Sequence, residues 1–173
     1  KITDTLDITG EVLEEREVKD ITSEDIELLA CRYRGTITQI PPKYSALKVN
    51  GRPLYKYARE GQEIDIEAKK RQIEIKHFEF NFIDIDSKKV SFIVTCSKGT
   101  YIRSICSEIG ELLGVGATMT RLVRTKSGVF TDKSSHDLEQ VLEMSESELN
   151  DIIISGESTI VNLRKLVLKN GSE

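Results

Sequence analysis

The sequence has no long hydrophobic run and no recognisable targeting segment. None of its apolar stretches approaches the roughly 20 residues that a membrane-spanning helix needs. Its first residues, Lys1-Ile2-Thr3-Asp4, are not a signal peptide and include no initiator methionine, so we expect a chain shortened at this end. With 38% hydrophobic and 31% charged residues among 173, the composition is typical of a soluble globular protein, and with three cysteines in no CxxC pair we expect it to be cytoplasmic and without a membrane partner.

Residues that commonly hold metals or nucleotides are also scarce. The three cysteines form no CxxC pair, the two histidines stand alone, and neither a GxGxxG nor a Walker-type loop is present. An odd cysteine count without such pairs favours a reducing compartment. Cys96, at the end of an apolar strand, and Cys106, within a helix, are expected to be small core residues. The sequence therefore predicts no metal site.

Charge is distributed unevenly, although the net charge is only -4. Residues 31–59 hold seven basic residues, four of the five tyrosines and all three prolines, but no acidic residue. Lysine and arginine attract phosphates, tyrosine rings stack on unpaired bases, and prolines restrict the backbone of a loop. The composition leaves two interpretations open, namely an RNA-binding loop and a solvated loop with structural tyrosines.

Hydrophobic periodicity predicts an α+β fold with a mixed, mainly antiparallel sheet and flanking helices. Residues 71–82 and 90–96 alternate as the two strands of a hairpin, and a change of phase near His77 predicts a β-bulge. A helix is expected after the capping-box pair Thr22 and Asp25. A short strand and loop are expected at Ile8-Thr9-Gly10 and the acidic alternation after it, and an irregular segment at 35–61 that includes a short helix at 54–59. Other expected elements are a helix from Thr100 as N-cap to Gly114, helices at 138–142 and 147–154, and a strand pair opening at 160–168.

Two short motifs carry candidate functional residues. Ser97-Lys98-Gly99-Thr100-Tyr101-Ile102-Arg103 spans a strand-to-helix junction, where backbone N–H groups favour anions. Arg103 lies in the first helical turn, where its charge opposes the helix dipole. Such a residue often serves a site with a carboxylate or phosphate partner, and the alternative is an ordinary surface arginine. Asp4 and Asp7 are candidates for acid–base chemistry or for turn formation.

Several motifs together resemble one enzyme family. They are Thr3-Asp4-Thr5-Leu6-Asp7, Gln39-Ile40-Pro41-Pro42-Lys43-Tyr44-Ser45-Ala46-Leu47-Lys48, Gly51-Arg52 with Leu54–Gly61, Cys96–Arg103, and Gly114-Val115-Gly116-Ala117 followed by Leu122-Val123-Arg124-Thr125. Their order and spacing are similar to those of the bacterial TruB-type tRNA pseudouridine synthases over nearly all of residues 1–130. Residues 160–163 and 169–171 resemble the opening of that family's PUA-type domain.

The resemblance implies an activity and a set of roles. The family isomerises uridine 55 in the T loop of tRNA to pseudouridine after the base has flipped into a pocket, with a catalytic aspartate and without metal or organic cofactor. By the same resemblance Arg103 pairs with that aspartate, and the substrate pocket includes Tyr101, Leu122, Asp4 and Asp7. The implied RNA-binding residues are Lys43, Tyr44, Lys48, Arg52, Tyr55, Arg59, Lys98 and Arg124.

The sequence departs from the family pattern in one important respect. The GxLDPxATG motif that carries the catalytic aspartate has no counterpart, and neither has the base-stacking tyrosine. We therefore expect an inactive enzyme fragment, with residues 1–158 as the C-terminal portion of the catalytic domain, an RNA-binding insert at about 35–70 and the start of a truncated PUA-type domain at 159–173. The expected fragment is a monomer with sheet edges through which it can associate.

Two alternatives to the enzyme fragment stay open. The first is a non-catalytic RNA-binding module that uses the same basic, tyrosine-rich loop. The second is a protein-interaction domain with an acidic surface, which predicts no affinity for tRNA. Both RNA interpretations predict binding that weakens steeply with salt.

Overall fold

The computed structural model describes residues 1–159, which form two compact units, residues 1–121 and a second unit that begins at Leu122. In chain order the first unit contains β1 (Ile2–Thr3), β2 (Val12–Glu14), α1 (Ser23–Leu29), β3 (Gly35–Gln39), β4 (Lys48–Val49), β5 (Arg52–Pro53), α2 (Leu54–Arg59), β6 (Arg71–Asp84), β7 (Lys89–Cys96) and α3 (Ile102–Leu112). Short 3-10 turns at Ala30–Arg32 and Glu67–Lys69 lie between them.

Strand β6 is the centre of a three-stranded antiparallel sheet with the order β3-β6-β7. Its pairing with β7 shifts register between Ile75 and His77, which confirms the bulge predicted from the change of hydrophobic phase. Because the bulge inserts one residue, Ile73 and Ile75 on one side of it and Phe78 on the other all enter the same core cluster.

The core of the first unit lies between this sheet and α3. Ile105 is fully buried and Ile109 nearly so, as their spacing along the helix requires. The Tyr33 ring, 1% exposed, stacks on Phe78 with 4.9 Å between ring centroids, and Phe78 stacks on Phe92 at 4.8 Å. Burial of each such side chain contributes about 1.5–3 kcal/mol, so this cluster fixes α3 against the sheet.

A close backbone approach follows the end of α3. Gly114 adopts φ +74°, as the predicted C-terminal glycine should. The N–H groups of Val115 and Gly116 then donate to the carbonyl of Gly110 at 3.0 and 2.9 Å. A Cβ at Gly110 would overlap the backbone of Ala117, so the chain can return along the helix only because this position has no side chain.

The residues between β3 and β6 form a small unit of their own. Strands β4 and β5 pair across Asn50-Gly51, both with positive φ, which is the geometry of a two-residue hairpin turn. Helix α2 follows directly and confirms the short helix predicted there. The Leu54 N–H donates to the Leu47 carbonyl at 2.8 Å, and the Tyr57 hydroxyl donates to the Val49 carbonyl at 3.1 Å. We call residues 40–70 the insert.

The second unit consists of short elements. They are β8 (Lys126–Ser127), β9 (Phe130–Thr131), a 3-10 turn (Asp132–Ser134), α4 (Leu138–Glu143), α5 (Glu146–Ile152) and α6 (Gly156–Thr159). Helices α4 and α5 confirm the two predicted there, although α5 begins one residue early because Ser145 and Glu148 form a capping box. The strand pair predicted at 160–168 lies outside the described residues.

Two predictions for the first forty residues need correction. The strand and loop expected at Ile8-Thr9-Gly10 and the acidic alternation after it are β2 and the turn before it, whereas β1, which pairs with β2, was not predicted. Strands of two and three residues are too short to show a period. The segment expected to be irregular from Gly35 begins with β3, which pairs with β6 from Gly35–Ile75 to Gln39–Arg71. The pairing of β3 is set by its neighbour and not by its own sequence.

The predicted start of α3 was also displaced. The N-cap is Tyr101 and not Thr100, whose hydroxyl instead donates to the Ser97 carbonyl at 2.9 Å. Tyr101 makes no side-chain cap bond, so another group must satisfy this helix end.

The predicted α+β class with a mainly antiparallel sheet is confirmed, because every pairing of the named strands within residues 1–159 is antiparallel. In that part of the chain no helix has the length and apolar character to cross a membrane.

We predict that Gly110→Ala destabilises the chain by about 1–3 kcal/mol, because the new methyl group forces the backbone of Ala117 away from α3. Urea denaturation measures the loss. The matched control is Gly156→Ala in α6, where a Cβ meets nothing within 4 Å. Equal stability of wild type and Gly110→Ala would show that the return loop yields without cost.

Candidate functional site

Arg103 lies in the first turn of α3 and joins three separate parts of the first unit. Its Nη1 donates to the carbonyl of Thr5 at 2.7 Å, and its Nη2 donates to the carbonyl of Tyr44 at 2.8 Å. Thr5 belongs to the turn after β1, and Tyr44 belongs to the insert. The half-buried guanidinium is therefore the meeting point of helix, turn and insert.

The turn beside Arg103 is built from the Thr3–Asp7 motif. The Thr3 hydroxyl, buried in the protein, donates to the Asp7 carbonyl at 2.8 Å, and Leu6 between them adopts φ 61°. A Cβ at Gly10 would overlap the side chains of Thr5 and Asp4, so the chain leaves the turn at a glycine. The turn thus has a structural reason for the hydroxyl of Thr3 and for the glycine at position 10.

Asp7 is held ionised by this turn. Its carboxylate accepts from the Thr9 N–H at 3.0 Å and from the Thr9 hydroxyl at 2.7 Å. These two bonds, and more weakly the charge of Arg103, hold the pKa of Asp7 below its ordinary value. An ionised Asp7 near Arg103 acts as a charge in the site and not as a proton donor at neutral pH.

Asp4 connects the same turn to the insert. Its carboxylate accepts from the Glu11 N–H at 2.8 Å and from the hydroxyl of Tyr44. Partial burial and this hydrogen bond raise the pKa of Tyr44, so the phenol stays protonated and continues to donate. Tyr44 is consequently held at both ends, by Asp4 through its hydroxyl and by Arg103 through its carbonyl.

The predicted RNA-binding side chains of the insert are found in two different settings. Lys43 and Lys48 are exposed, and neither forms an ion pair with a carboxylate of residues 1–159. Arg52 pairs with Glu60 and lies over a tyrosine ring, 4.8 Å from its centroid. Arg59 lies over the ring of Tyr55 at 5.4 Å. Two cations are thus free, and two are already stacked on aromatic faces.

The other predicted site residues are distributed over both units. Tyr101 precedes α3 directly, and Lys98 is exposed in the loop before it. Leu122, 53% exposed, and Arg124 belong to the second unit. Arg124 lines a shallow pocket there with Lys126, Ser127, Phe130, Thr131, Asp132 and Ser135. Within residues 1–159, no group of three or more His, Cys, Asp or Glu side chains is placed to hold a metal ion.

Three residues at the site were missed in the sequence. Gln39 and Arg71 both contact the segment that precedes α3, and the Ser104 hydroxyl donates to the Ile40 carbonyl at 3.1 Å. Gln39 and Ile40 are within the motif used for the resemblance, but no spacing rule relates them to a helix more than 60 residues away. Their role depends on tertiary packing.

Comparison with known proteins identifies the family of the chain that carries this site. Residues 1–102 match the family model described as TruB family pseudouridylate synthase (N terminal domain), and residues 103–167 match tRNA pseudouridylate synthase B C-terminal domain. The chain belongs to the TruB family. A relative from Clostridium perfringens named tRNA pseudouridine synthase B is 43% identical over 168 residues, which cover 96% of this chain and 55% of the relative.

Other similar proteins support the assignment to the TruB family. A tRNA pseudouridine synthase B from Clostridioides difficile is 46% identical over 139 residues, 80% of this chain and 46% of that protein. One chain in the crystal structure of a Cbf5-Nop10-Gar1 complex superposes with a TM-score of 0.56 and 29% identity over 79% of this chain and 35% of its own. The predicted fold is thereby confirmed. The chain spans about half the length of the curated relatives that it matches.

We predict that the pKa of Asp7 lies below 3.8 and that Thr9→Ala raises it only part of the way, since the Thr9 N–H remains. Because the folded-state pKa is lowered, these bonds stabilise the turn above about pH 3.8, and that stabilisation is lost as the pH falls through the lowered value. Carboxyl-carbon NMR titration measures the shift.

Asp84 is the matched control, because hydrogen bonds from Ser87 lower its pKa in the β6–β7 turn without involving Thr9. Thr9→Ala should leave the Asp84 titration unchanged. An Asp7 titration at its ordinary value in the wild type would contradict the hydrogen bonding described here.

Proposed function

We propose that this chain is part of a longer TruB-type enzyme that isomerises uridine 55 in the T loop of tRNA to pseudouridine. The placement of Arg103 carries the proposal, because one guanidinium at the start of α3 contacts both the Thr3–Asp7 turn and the insert. The family membership and the relatives named tRNA pseudouridine synthase B support the choice of reaction. A segment that contains the GxLDPxATG motif would supply the catalytic aspartate.

Arg103 retains the capacity to bind that aspartate. A guanidinium carries five N–H donors, and the carbonyls of Thr5 and Tyr44 accept two of its hydrogen bonds. Carbonyl oxygens carry no formal charge, so the positive charge of Arg103 is not neutralised by them. The remaining donors form a planar fork that suits a carboxylate, keeps it ionised and orients it.

The surrounding residues divide the remaining work. Asp7, ionised by its hydrogen bonds from Thr9, adds a negative charge near the Arg103 guanidinium, and Tyr101 offers a ring at the N-terminus of α3. Leu122 is proposed to line the uracil pocket with an apolar surface. Because the target base is stacked within the T loop, it must flip out to reach this pocket.

The insert supplies the contact with the RNA backbone. Lys43 and Lys48 are exposed cations, and the arginine–tyrosine pairs of the insert present flat, positively charged surfaces. Such surfaces stack on unpaired bases and attract phosphates at the same time. Lys98 and Arg124 are proposed to extend this backbone contact beyond the insert. The T arm of tRNA, which joins a duplex stem to a structured loop, is the RNA that this combination favours.

The proposal includes the setting in which the protein works. We propose a cytoplasmic, monomeric enzyme that needs neither metal nor organic cofactor, with an RNA-binding region at about 35–70 that includes the insert and a PUA-type domain that opens near residue 159. One alternative remains, a non-catalytic module that binds RNA through the insert. It rests on the basic, tyrosine-rich composition of residues 31–59 and predicts binding without turnover.

We predict that Arg103→Lys in the full-length protein lowers kcat by about 10²-fold and changes tRNA affinity little. Lysine keeps the charge but loses the fork that binds the aspartate and both carbonyls. Tritium release from uridine-labelled tRNA measures turnover, and filter binding measures affinity. The 173-residue chain alone should release no tritium.

Arg16→Lys is the matched control, because Arg16 bonds Glu14 and Glu111 near the opposite end of α3. Its kcat should equal that of the wild type. Turnover by the 173-residue chain would refute the need for an added aspartate, and an unchanged rate in Arg103→Lys would remove Arg103 from the reaction.

We predict that joint replacement of Lys43, Lys48 and Arg52 by alanine weakens binding of the 173-residue chain to a T-arm stem-loop. The slope of log affinity against log salt should fall by about 1 for each phosphate contact removed. Affinity measured from low to moderate salt gives both quantities.

The control removes three exposed lysines of the β6–β7 hairpin, namely Lys76, Lys88 and Lys89, and so changes the net charge equally. It should keep the wild-type slope within error. Equal losses in both triple variants would mean that only the net charge matters, and no stem-loop binding at low salt would refute an RNA function.

A further inference from the structure

We propose that Gln39 is a positioning residue that fixes the N-terminus of α3 and thereby places Arg103, with Arg71 as its second support. The inference rests on the proposed function, because it concerns the placement of the residue that would orient the catalytic aspartate. It arises from side-chain hydrogen bonds between β3 and the start of α3 that are not part of the pairing of the strands.

Gln39 binds the backbone of Tyr101 through both halves of its amide. Its Oε1 accepts from the Tyr101 N–H at 2.8 Å, and its Nε2 donates to the Tyr101 carbonyl at 3.0 Å. Gln39 is only 3% exposed, so these bonds form away from water, where an unmade bond costs about 1–3 kcal/mol. The two bonds fix both the distance and the orientation of the Tyr101 peptide groups.

This arrangement satisfies the N–H of the N-cap residue of α3, the group that the N3 side chain satisfies in a capping box. Tyr101 is the N-cap residue, yet its own side chain makes no capping bond, and the hydroxyl of Thr100 is engaged with Ser97. The first N–H groups of a helix have no partner within the helix. Gln39 supplies an acceptor from a strand 62 residues earlier in the sequence. The start of α3 is thus defined by tertiary contact rather than by its own sequence.

Arg71 contacts the same segment at Gly99 and Tyr101. Its guanidinium lies over the ring of Tyr101, 4.5 Å from the centroid, and donates to the carbonyl of Gly99. Gly99 adopts φ +84° and lies against the Arg71 side chain, so a larger residue would be strained there and would press on the guanidinium. Arg71 pairs with Gln39 across β3 and β6, so the two residues that hold the start of α3 are direct neighbours in the sheet.

The contacts of Gln39 and Arg71 affect Arg103 through only a few residues of the chain. Arg103 is two residues after Tyr101, and the next residue, Ser104, donates to the carbonyl of Ile40. Gln39 ends β3, and Ile40 begins the insert that carries the Tyr44 carbonyl bound by Arg103. A shift of Gln39 would move both Arg103 and one of its two acceptors. Displacements of about 1 Å at such distances from the chemistry can cost 10²-fold in rate.

The test compares Gln39→Glu with Gln72→Glu. Gln39→Glu keeps the acceptor for the Tyr101 N–H but turns the donating amide into an oxygen that repels the Tyr101 carbonyl. Gln72, on the neighbouring strand and exposed, makes the same charge change without that contact. The first measurement uses nitrogen NMR of the Arg103 guanidinium in the 173-residue chain. We expect protected N–H signals in the wild type and Gln72→Glu, and exchange-broadened signals in Gln39→Glu.

The second measurement uses the full-length protein. Gln39→Glu should lower kcat by about 10²-fold while the Kd for tRNA changes less than about twofold, a pattern that general destabilisation would not produce. Arg71→Lys, which keeps the charge but not the planar stacking surface, should lower kcat in the same direction by a smaller factor. If Gln39→Glu does not fold, the Arg71→Lys variant tests the proposal instead. Unchanged Arg103 signals and an unchanged kcat in Arg71→Lys would then overturn it.

The outcomes separate this inference from the proposed function. Unchanged Arg103 signals in a folded Gln39→Glu would overturn the positioning role, whatever the activity of the wild type. Equal falls in kcat and tRNA affinity would also overturn it, because they indicate a merely structural effect. If the wild-type full-length protein forms no pseudouridine, the proposed function fails, and the NMR comparison still decides whether Gln39 places Arg103.

Discussion

The first unit depends on the two hydrogen bonds that Arg103 donates to the carbonyls of Thr5 and Tyr44. A cation in the first turn of a helix is opposed by the helix dipole, so its position needs compensation from elsewhere. Two carbonyl dipoles provide part of it without neutralising the charge. The same bonds hold the Thr3–Asp7 turn and the insert against α3, so a locally unfavourable residue organises three segments that are distant in sequence.

The sheet provides the rigid base for this junction. Strand β6 pairs with β7 on one side and with β3 on the other, and the bulge after Ile75 keeps the apolar side chains of β6 in one core. Because β3 ends at Gln39, the insert leaves the sheet beside the first turn of α3. Burial of Ile105 and Ile109 sets the axis of the helix, whereas the polar contacts of Tyr101 set where it begins.

The parts that the sequence predicts are those with a local cause. Alternation predicts β6 and β7 and even the bulge at His77, and the Thr22–Asp25 pair predicts the start of α1 through its capping box. The position of Arg103 in the first turn of α3 was also predicted. The N-cap residue was not predicted correctly, because Thr100 has a side chain suited to capping but its hydroxyl donates to the Ser97 carbonyl. Gln39, which binds the backbone of the N-cap residue, has no sequence signal that relates it to α3.

The insert shows that composition predicts a type of surface but not how its individual side chains pair. Its basic and tyrosine content indicates RNA binding, but composition does not show that Arg52 pairs with Glu60 while Lys43 and Lys48 remain exposed. Under the proposed function these pairings imply unequal contributions to RNA affinity, because RNA would have to displace Glu60 to use the full charge of Arg52. The internal hydrogen bonds of the insert and its two links through Tyr44 mean that, under the proposed function, RNA would meet a surface formed in advance, which would lower the entropic cost of binding.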